Sequence, residues 1–256
     1  MKNNSPSQLL SVSSENVAAI TISYISENAV MLEWPEKICP IQHQHIMYCQ
    51  AQVAHAFTDK IIDCISSYAS LLIYYKFELV THYTINTFLH NLIQTPYSPN
   101  NMTHEKNKVE IPVYYGEDAG WDLSEVAQQT QLSINEIIKL HTQTMYRAYA
   151  LGFTPGFCYL GELPKQLQLP RKASPRLLVP KGAVAIAQQQ TAVYPNASPG
   201  GWHIIGQTPL DMYSVDISAK DQPFNSAINV GQSVKFIAIT KAEFLSLGGQ
   251  LVQDKA

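Results

Sequence analysis

The chain has 256 residues, 46% of them apolar and only 14% charged, with a net charge of −3 at neutral pH. That is enough apolar material for one large core or two smaller ones, while the acidic balance excludes a nucleic-acid binder, which needs a basic face for its phosphates. No stretch approaches the ~18 continuous apolar residues of a membrane span, and no membrane partner is expected.

Residues 1–17 are polar and lack the apolar segment of a secretory signal, so they predict a disordered N-terminal tail. Ile20, Ile22 and Tyr24 alternate with Thr21 and Ser23 as a strand does, and a second strand follows over Ala29–Trp34. Residues 41–58 read as a helix, with Ile46, Cys49, Val53 and Phe57 as its apolar stripe. Two further strands flank a turn near Ser66–Ala69. A second helix covers Thr81–Gln94, and Lys108–Val113 alternates again. This order predicts a compact α+β unit at 18–100, two helices on one face of an antiparallel sheet, in the manner of a ferredoxin-like sandwich. The polar stretch 95–107, rich in Pro and Asn, reads as a connector.

Two helices come next, each opened by a candidate capping box: Asp122 with Glu125, and Ser133 with Glu136. The second is read through to Ala148. Beyond Ala150 the chain turns to short apolar runs between Gly and Pro: Ala183–Ala187, Thr191–Tyr194, His203–Ile205, Met212–Val215 and Ser233–Ile239. Many short strands with such turns predict a closed β-barrel over 101–246, followed by a C-terminal tail at 247–256. The residue counts divide the same way. All twelve glycines lie at Gly116 or later, and the chain's three arginines are Arg147, Arg171 and Arg176.

The chemistry-bearing residues concentrate in 152–210. Arg171 and Arg176 sit in a proline-braced segment, Pro170–Arg176, with Lys181 close behind. Prolines restrict the loop, and a rigid guanidinium suits carboxylate or phosphate. In Ser198–Trp202 the paired Gly200 and Gly201 allow either a close ligand approach or a tight barrel corner, with Trp202 as a wall or a core residue. Gly152–Phe157 is open to the same two readings. His141, on a helix, reads by itself as structural; His43 and His45, spaced i, i+2, read as surface residues that share no metal. No phosphate-binding glycine loop, dinucleotide turn, nucleophile elbow or metal-ligand spacing is present. The four cysteines form no CxxC pair and read as reduced thiols of a cytoplasmic protein.

The runs HTQTMYRAYALGFTPGFCYLGELP, LPRKASPRLLVPKGAVAIA, QTAVYP and SPGGWHIIGQTPL closely resemble one bacterial family. It is the 5-oxoprolinase B-subunit family, also called allophanate hydrolase subunit 1 or the KipI family. The resemblance runs from about Ala19 to Ile239. It implies a ferredoxin-like domain followed by a cyclophilin-like barrel. It also implies partner subunits C and A, with ATP as cofactor, held here or by a partner, for opening 5-oxoproline to glutamate. Related modules belong to biotin-dependent urea carboxylase, and another relative inhibits a sensor histidine kinase.

Carried over by motif, His141 is the expected acid–base group, and Arg171 and Arg176 the anion binders. Phe153, Pro155, Phe157, Gln190, Thr191, Tyr194, Gly200, Gly201 and Trp202 are the expected substrate contacts. The chain departs from the family pattern at Lys181, Ala183, Gln188 and Ala192. Glycines are usual at the last two, so Gln188 and Ala192 are expected to crowd the pocket.

Overall fold

The computed structural model describes residues 20–97, 108–216, 218 and 224–252. The expected N-terminal tail and most of the expected connector lie outside them. The chain divides into two compact units, Met1–Thr103 and His104–Ala256.

In the first unit, β1 (Thr21–Ser26) and β2 (Ala29–Glu33) form a hairpin. Then follow α1 (Pro40–Ala56), β3 (Ile61–Ser66), β4 (Ser70–Tyr75) and α2 (His82–Gln94). The sheet is antiparallel throughout, in the order β1-β2-β4-β3. The β2–α1–β3 crossover thus brackets β4, the split βαβ arrangement. The fourth strand comes from the N-terminal hairpin, not from a strand after α2. Helix α1 starts at Pro40, where a missing N–H costs nothing, and α2 starts where the Thr81 side chain accepts from Thr84 N at 3.2 Å. Ile46, Cys49 and Val53 from α1 and Ile85, Leu89 and Leu92 from α2 close over Val30, Leu32, Leu71 and Ile73.

Of the three histidines of α1, His55 is exposed, but His43 and His45 are not on the surface. His43 and His45 are both buried. His45 accepts a hydrogen bond from Trp34 Nε1 at 3.3 Å and stacks on Tyr97 at 5.0 Å. Burial drops its pKa from 6.5 to about 4. The i, i+2 spacing does send the rings to different sides, but α1 is covered over a wide arc, so both sides are interior.

The second unit holds β5 (Lys108–Val113), α3 (Leu123–Thr130), α4 (Ile134–Gln143), β6 (Tyr146–Leu151) and β7 (Cys158–Gly161). After these come β8 (Arg176–Val179), β9 (Ala183–Ala187), β10 (Gln190–Val193), β11 (Ser198–Gly200), β12 (His203–Gln207), β13 (Tyr213–Val215), β14 (Phe224–Ser226), β15 (Ser233–Ala238) and α5 (Lys241–Ser246). Seven strands form one sheet in the order β12-β9-β10-β7-β6-β15-β5. Its edges meet beyond β5, where Tyr114 and Gln207 exchange two backbone hydrogen bonds of 2.9 Å. A Cβ on Gly206 would lie 2.8 Å from Tyr114 O, so this closing contact requires glycine. The result is a nearly closed barrel-like sheet, and with helices α3, α4 and α5 the unit is α+β.

Two local readings change. Helix α4 stops at Gln143, because Thr144 is extended and Tyr146–Leu151 is a strand. Asp122 precedes α3 but makes no side-chain cap; its carboxylate turns inward to other partners. The Ser133–Glu136 capping box does form. At the C-terminal end, Gly249 packs against the Phe244 ring.

Candidate functional site

The sheet of the second unit has two apolar sides. Val184 and Ile186 of β9, Cys158 and Leu160 of β7 and Tyr146 and Ala148 of β6 face the main core. The intervening Ala183, Ala185 and Ala187, with Ala192 of β10, face a smaller cluster holding Phe157, Tyr194 and Trp202, with Tyr159 packed against it. Small residues on the strands leave room there for large rings. Phe157 is the hub, 4.9 Å from Tyr159, 5.4 Å from Tyr194 and 5.9 Å from Trp202. Phe153 meets it from outside at 5.3 Å and stays 63% exposed, in a left-handed conformation with φ +68°. A bulky residue held there is strained, as residues at functional rims often are.

The segment 170–176 is fastened across this cluster. His203 Nε2 donates to Pro170 O at 2.9 Å, and Lys172 N donates to Gly201 O at 2.8 Å. Arg176 grips Asp122 with two hydrogen bonds, 2.8 and 2.9 Å, and Lys172 Nζ reaches Asp122 Oδ1 at 2.8 Å. Ile204 N adds a third donor at 2.7 Å. Burial pushes the Asp122 carboxyl up, but hydrogen bonds from Arg176, Lys172 and Ile204 outweigh it and hold it below its usual 3.8. This anchoring leaves Arg171 exposed, its guanidinium 6.0 Å from the Trp202 ring centroid. Its charge reaches the Tyr159 and Tyr194 hydroxyls. Burial raises both, Tyr194 to about 12, and Arg171 pulls them back.

The expected residues therefore separate into three groups. Arg171, Phe153 and Pro155 are exposed at the site, and Gln190, Gly200 and Gly201 are half-buried beside it. Phe157, Tyr194 and Trp202 are buried beneath it. Gly200 has a structural reason: a Cβ there would fall 2.2 Å from the Tyr194 hydroxyl. Arg176 is a correction, because its fork is engaged by a buried carboxylate and is not offered to an anion. His141 is a second correction. It is fully buried, and burial holds its pKa at about 3. Thr191 Oγ1 donates to Ala185 O at 3.0 Å, so it accepts from His141 Nε2–H at 2.9 Å; Nδ1 then accepts from the Tyr115 hydroxyl at 2.7 Å. A neutral ring with both nitrogens engaged and no exposure is a structural link, not an acid–base group open to substrate.

The crowding expected of Gln188 and Ala192 resolves differently. Gln188 is exposed in the β9–β10 turn with φ +51°, which is why glycine suits that position. Ala192 adds a methyl to the buried alanine layer. Two residues of the site do not stand out in the sequence. Asp122 reads there as a cap, and Tyr159 carries no motif of its own. The alternation of Cys158, Tyr159 and Leu160 is the available signal for Tyr159.

Residues 20–224 match the carboxyltransferase domain, subdomain C and D. The chain is 35% identical over 240 residues to the 5-oxoprolinase B-subunit of Bacillus subtilis, covering 87% of this chain and 94% of that protein. It belongs to the 5-oxoprolinase B-subunit family. Among solved structures, TTHA0988 superposes with a TM-score of 0.69 at 32% identity; the match covers 82% of this chain and 40% of the TTHA0988 chain. Urea carboxylase of Kluyveromyces lactis shares the fold at 16% identity, with a TM-score of 0.64 over 92% of this chain and 23% of that one. In this member of the 5-oxoprolinase B-subunit family, no helix among the described residues is long and apolar enough to cross a membrane.

Proposed function

We propose that this chain is the B-subunit of a multi-subunit 5-oxoprolinase in the cytoplasm, acting with subunits C and A to open 5-oxo-L-proline to L-glutamate with hydrolysis of ATP. The observation that carries this reading is the identity to a protein of that name over nearly its whole length. We assign the first unit (18–100) as ferredoxin-like, with its fourth strand moved to the front, and the second (101–246) as a cyclophilin-like barrel.

The site chemistry supports the reading. An unstrained lactam is a poor electrophile, and phosphorylation of its amide oxygen makes it one that water opens. Such a site needs a cation for an anionic group and flat apolar walls for a five-membered ring. Arg171 supplies the first, and the exposed Phe153 ring, with Trp202 buried beneath the site, offers the wall. His141 acts through Thr191 as a positioning residue for β10, which carries Gln190. The chain has no phosphate-binding glycine loop, so ATP is assigned to a site completed by a partner, and the single chain is expected to be inactive alone.

Co-expression with subunits C and A, followed by an assay of ATP-dependent glutamate release from 5-oxoproline, tests this. Turnover that requires this chain is expected; turnover indifferent to its removal overturns the proposal. A second reading, a biotin-dependent carboxyltransferase module, draws on the family match and the urea carboxylase fold. Bicarbonate-dependent activity blocked by avidin would select it.

A further inference from the structure

Three polar positions line up across the outer side of the barrel-like sheet. Arg147 on β6 pairs with Gly161 on β7, and Gly161 pairs with Gln190 on β10. Directly paired residues share a face. Tyr146 and Ala148 enter the main core, so Arg147 between them faces the other way. Cys158 and Leu160 flank Tyr159 likewise. Thr191 is tied to buried His141, so its neighbour Gln190 lies on the side of Ala187, its partner on β9. Arg147, Tyr159 and Gln190 thus share the side that carries Phe157 and Trp202. Gly161 places no side chain between Arg147 and Gln190, whose strands stand two spacings, ~9.5 Å, apart. Arg171 covers the aromatic end of this side, and Arg147 lies half-buried in the row with Gln190.

We propose that Arg147 is the second guanidinium of the site and that it binds the ligand's carboxylate, with Gln190 beside it at the adjacent amide. Arg171 then serves a separate anionic group at the aromatic end. The ligand class is a small carboxylic acid bearing an amide next to its carboxylate-bearing carbon, bound together with a phosphate. This rests on the oxoprolinase reading, in which the acid is 5-oxoproline and ATP brings the phosphate. A planar fork suits a carboxylate better than a lysine does, and the side-chain amide of Gln190 offers a donor and an acceptor to a lactam.

The test is steady-state kinetics of the assembled complex carrying Arg147→Gln or Arg147→Lys, with thermal melts to verify folding. Arg147→Gln is expected to raise KM for 5-oxoproline tenfold or more, with KM for ATP and kcat within threefold. Arg147→Lys is expected to recover part of the loss. A folded Arg147→Gln complex with KM for 5-oxoproline within twofold of wild type overturns the proposal. If the wild-type complex does not turn over 5-oxoproline, the oxoprolinase reading fails by itself. Calorimetric titration of the chain with 5-oxoproline and with acetylated glycine as probes then decides. Binding abolished by Arg147→Gln supports the carboxylate site, and binding that is absent, or unchanged by the substitution, overturns it.

Discussion

Arg176 and Asp122, 54 residues apart, meet as a bidentate pair at 2.8 and 2.9 Å. Asp122 also holds Lys172 and the Ile204 backbone, so one buried carboxylate fastens the proline-braced segment to the start of α3. Removing it takes a shared partner from Arg176, Lys172 and Ile204 N, while Lys172 keeps Glu125 at 2.5 Å, so the cost is about 3 kcal/mol, the low end for a broken buried pair. Asp122→Ala is therefore expected to lower the stability of the second unit by that order in urea titration, and to loosen Arg171 from Trp202. The Asp122 carboxyl is held below 3.8, so its contribution is present above that value and is lost as pH falls further. A stability change confined below pH 4, absent in Asp122→Ala, is the signature.

His141 has the same direction in a different window. Its pKa falls from 6.5 unfolded to about 3 folded, so the unfolded chain takes up the proton first. The stability from the neutral ring is complete above 6.5 and is lost progressively as pH falls toward 3, at no more than about 1.4 kcal/mol per pH unit. His45 adds a parallel slope down to about 4. His141→Gln is expected to remove roughly half of the slope measured between pH 6 and 4.5. An unchanged slope would contradict the buried neutral state.

Gln188 sits in the left-handed region without being glycine. A side chain there costs about 1–2 kcal/mol, partly offset by the greater freedom glycine gives the unfolded chain. Gln188→Gly is thus expected to stabilise the second unit by about 0.5–1 kcal/mol. Because the side chain points to solvent, activity of the complex should be untouched; a loss of activity would place Gln188 in the site after all.

Much of this organisation is legible in the sequence. Strand alternation and helix periodicity report local burial, so β1–β4, α1, α2 and the β9–β10 hairpin emerge from pattern. The Ser133–Glu136 box is local too, and it forms. What stays hidden is pairing between distant residues. Asp122 has the right neighbours for a helix cap, and nothing local says that Arg176 will claim it. His43 and His45 depend on how much of α1 is covered. Arg147 is obscured because a helical reading through Ala148 swallows the first half of β6; only the strand register turns it to the side of Tyr159 and Trp202. The scarcity of arginine is the one sequence signal that points to it.

The central claim is that Arg171, freed by the anchoring of Arg176, serves the anion at the aromatic site. Its most direct test is kcat/KM for ATP-dependent glutamate release by the assembled complex carrying Arg171→Gln. The expected result is a loss of tenfold or more with the melting temperature and assembly unchanged, since Arg171 is exposed and holds no buried carboxylate. Wild-type kcat/KM in an intact Arg171→Gln complex would contradict it.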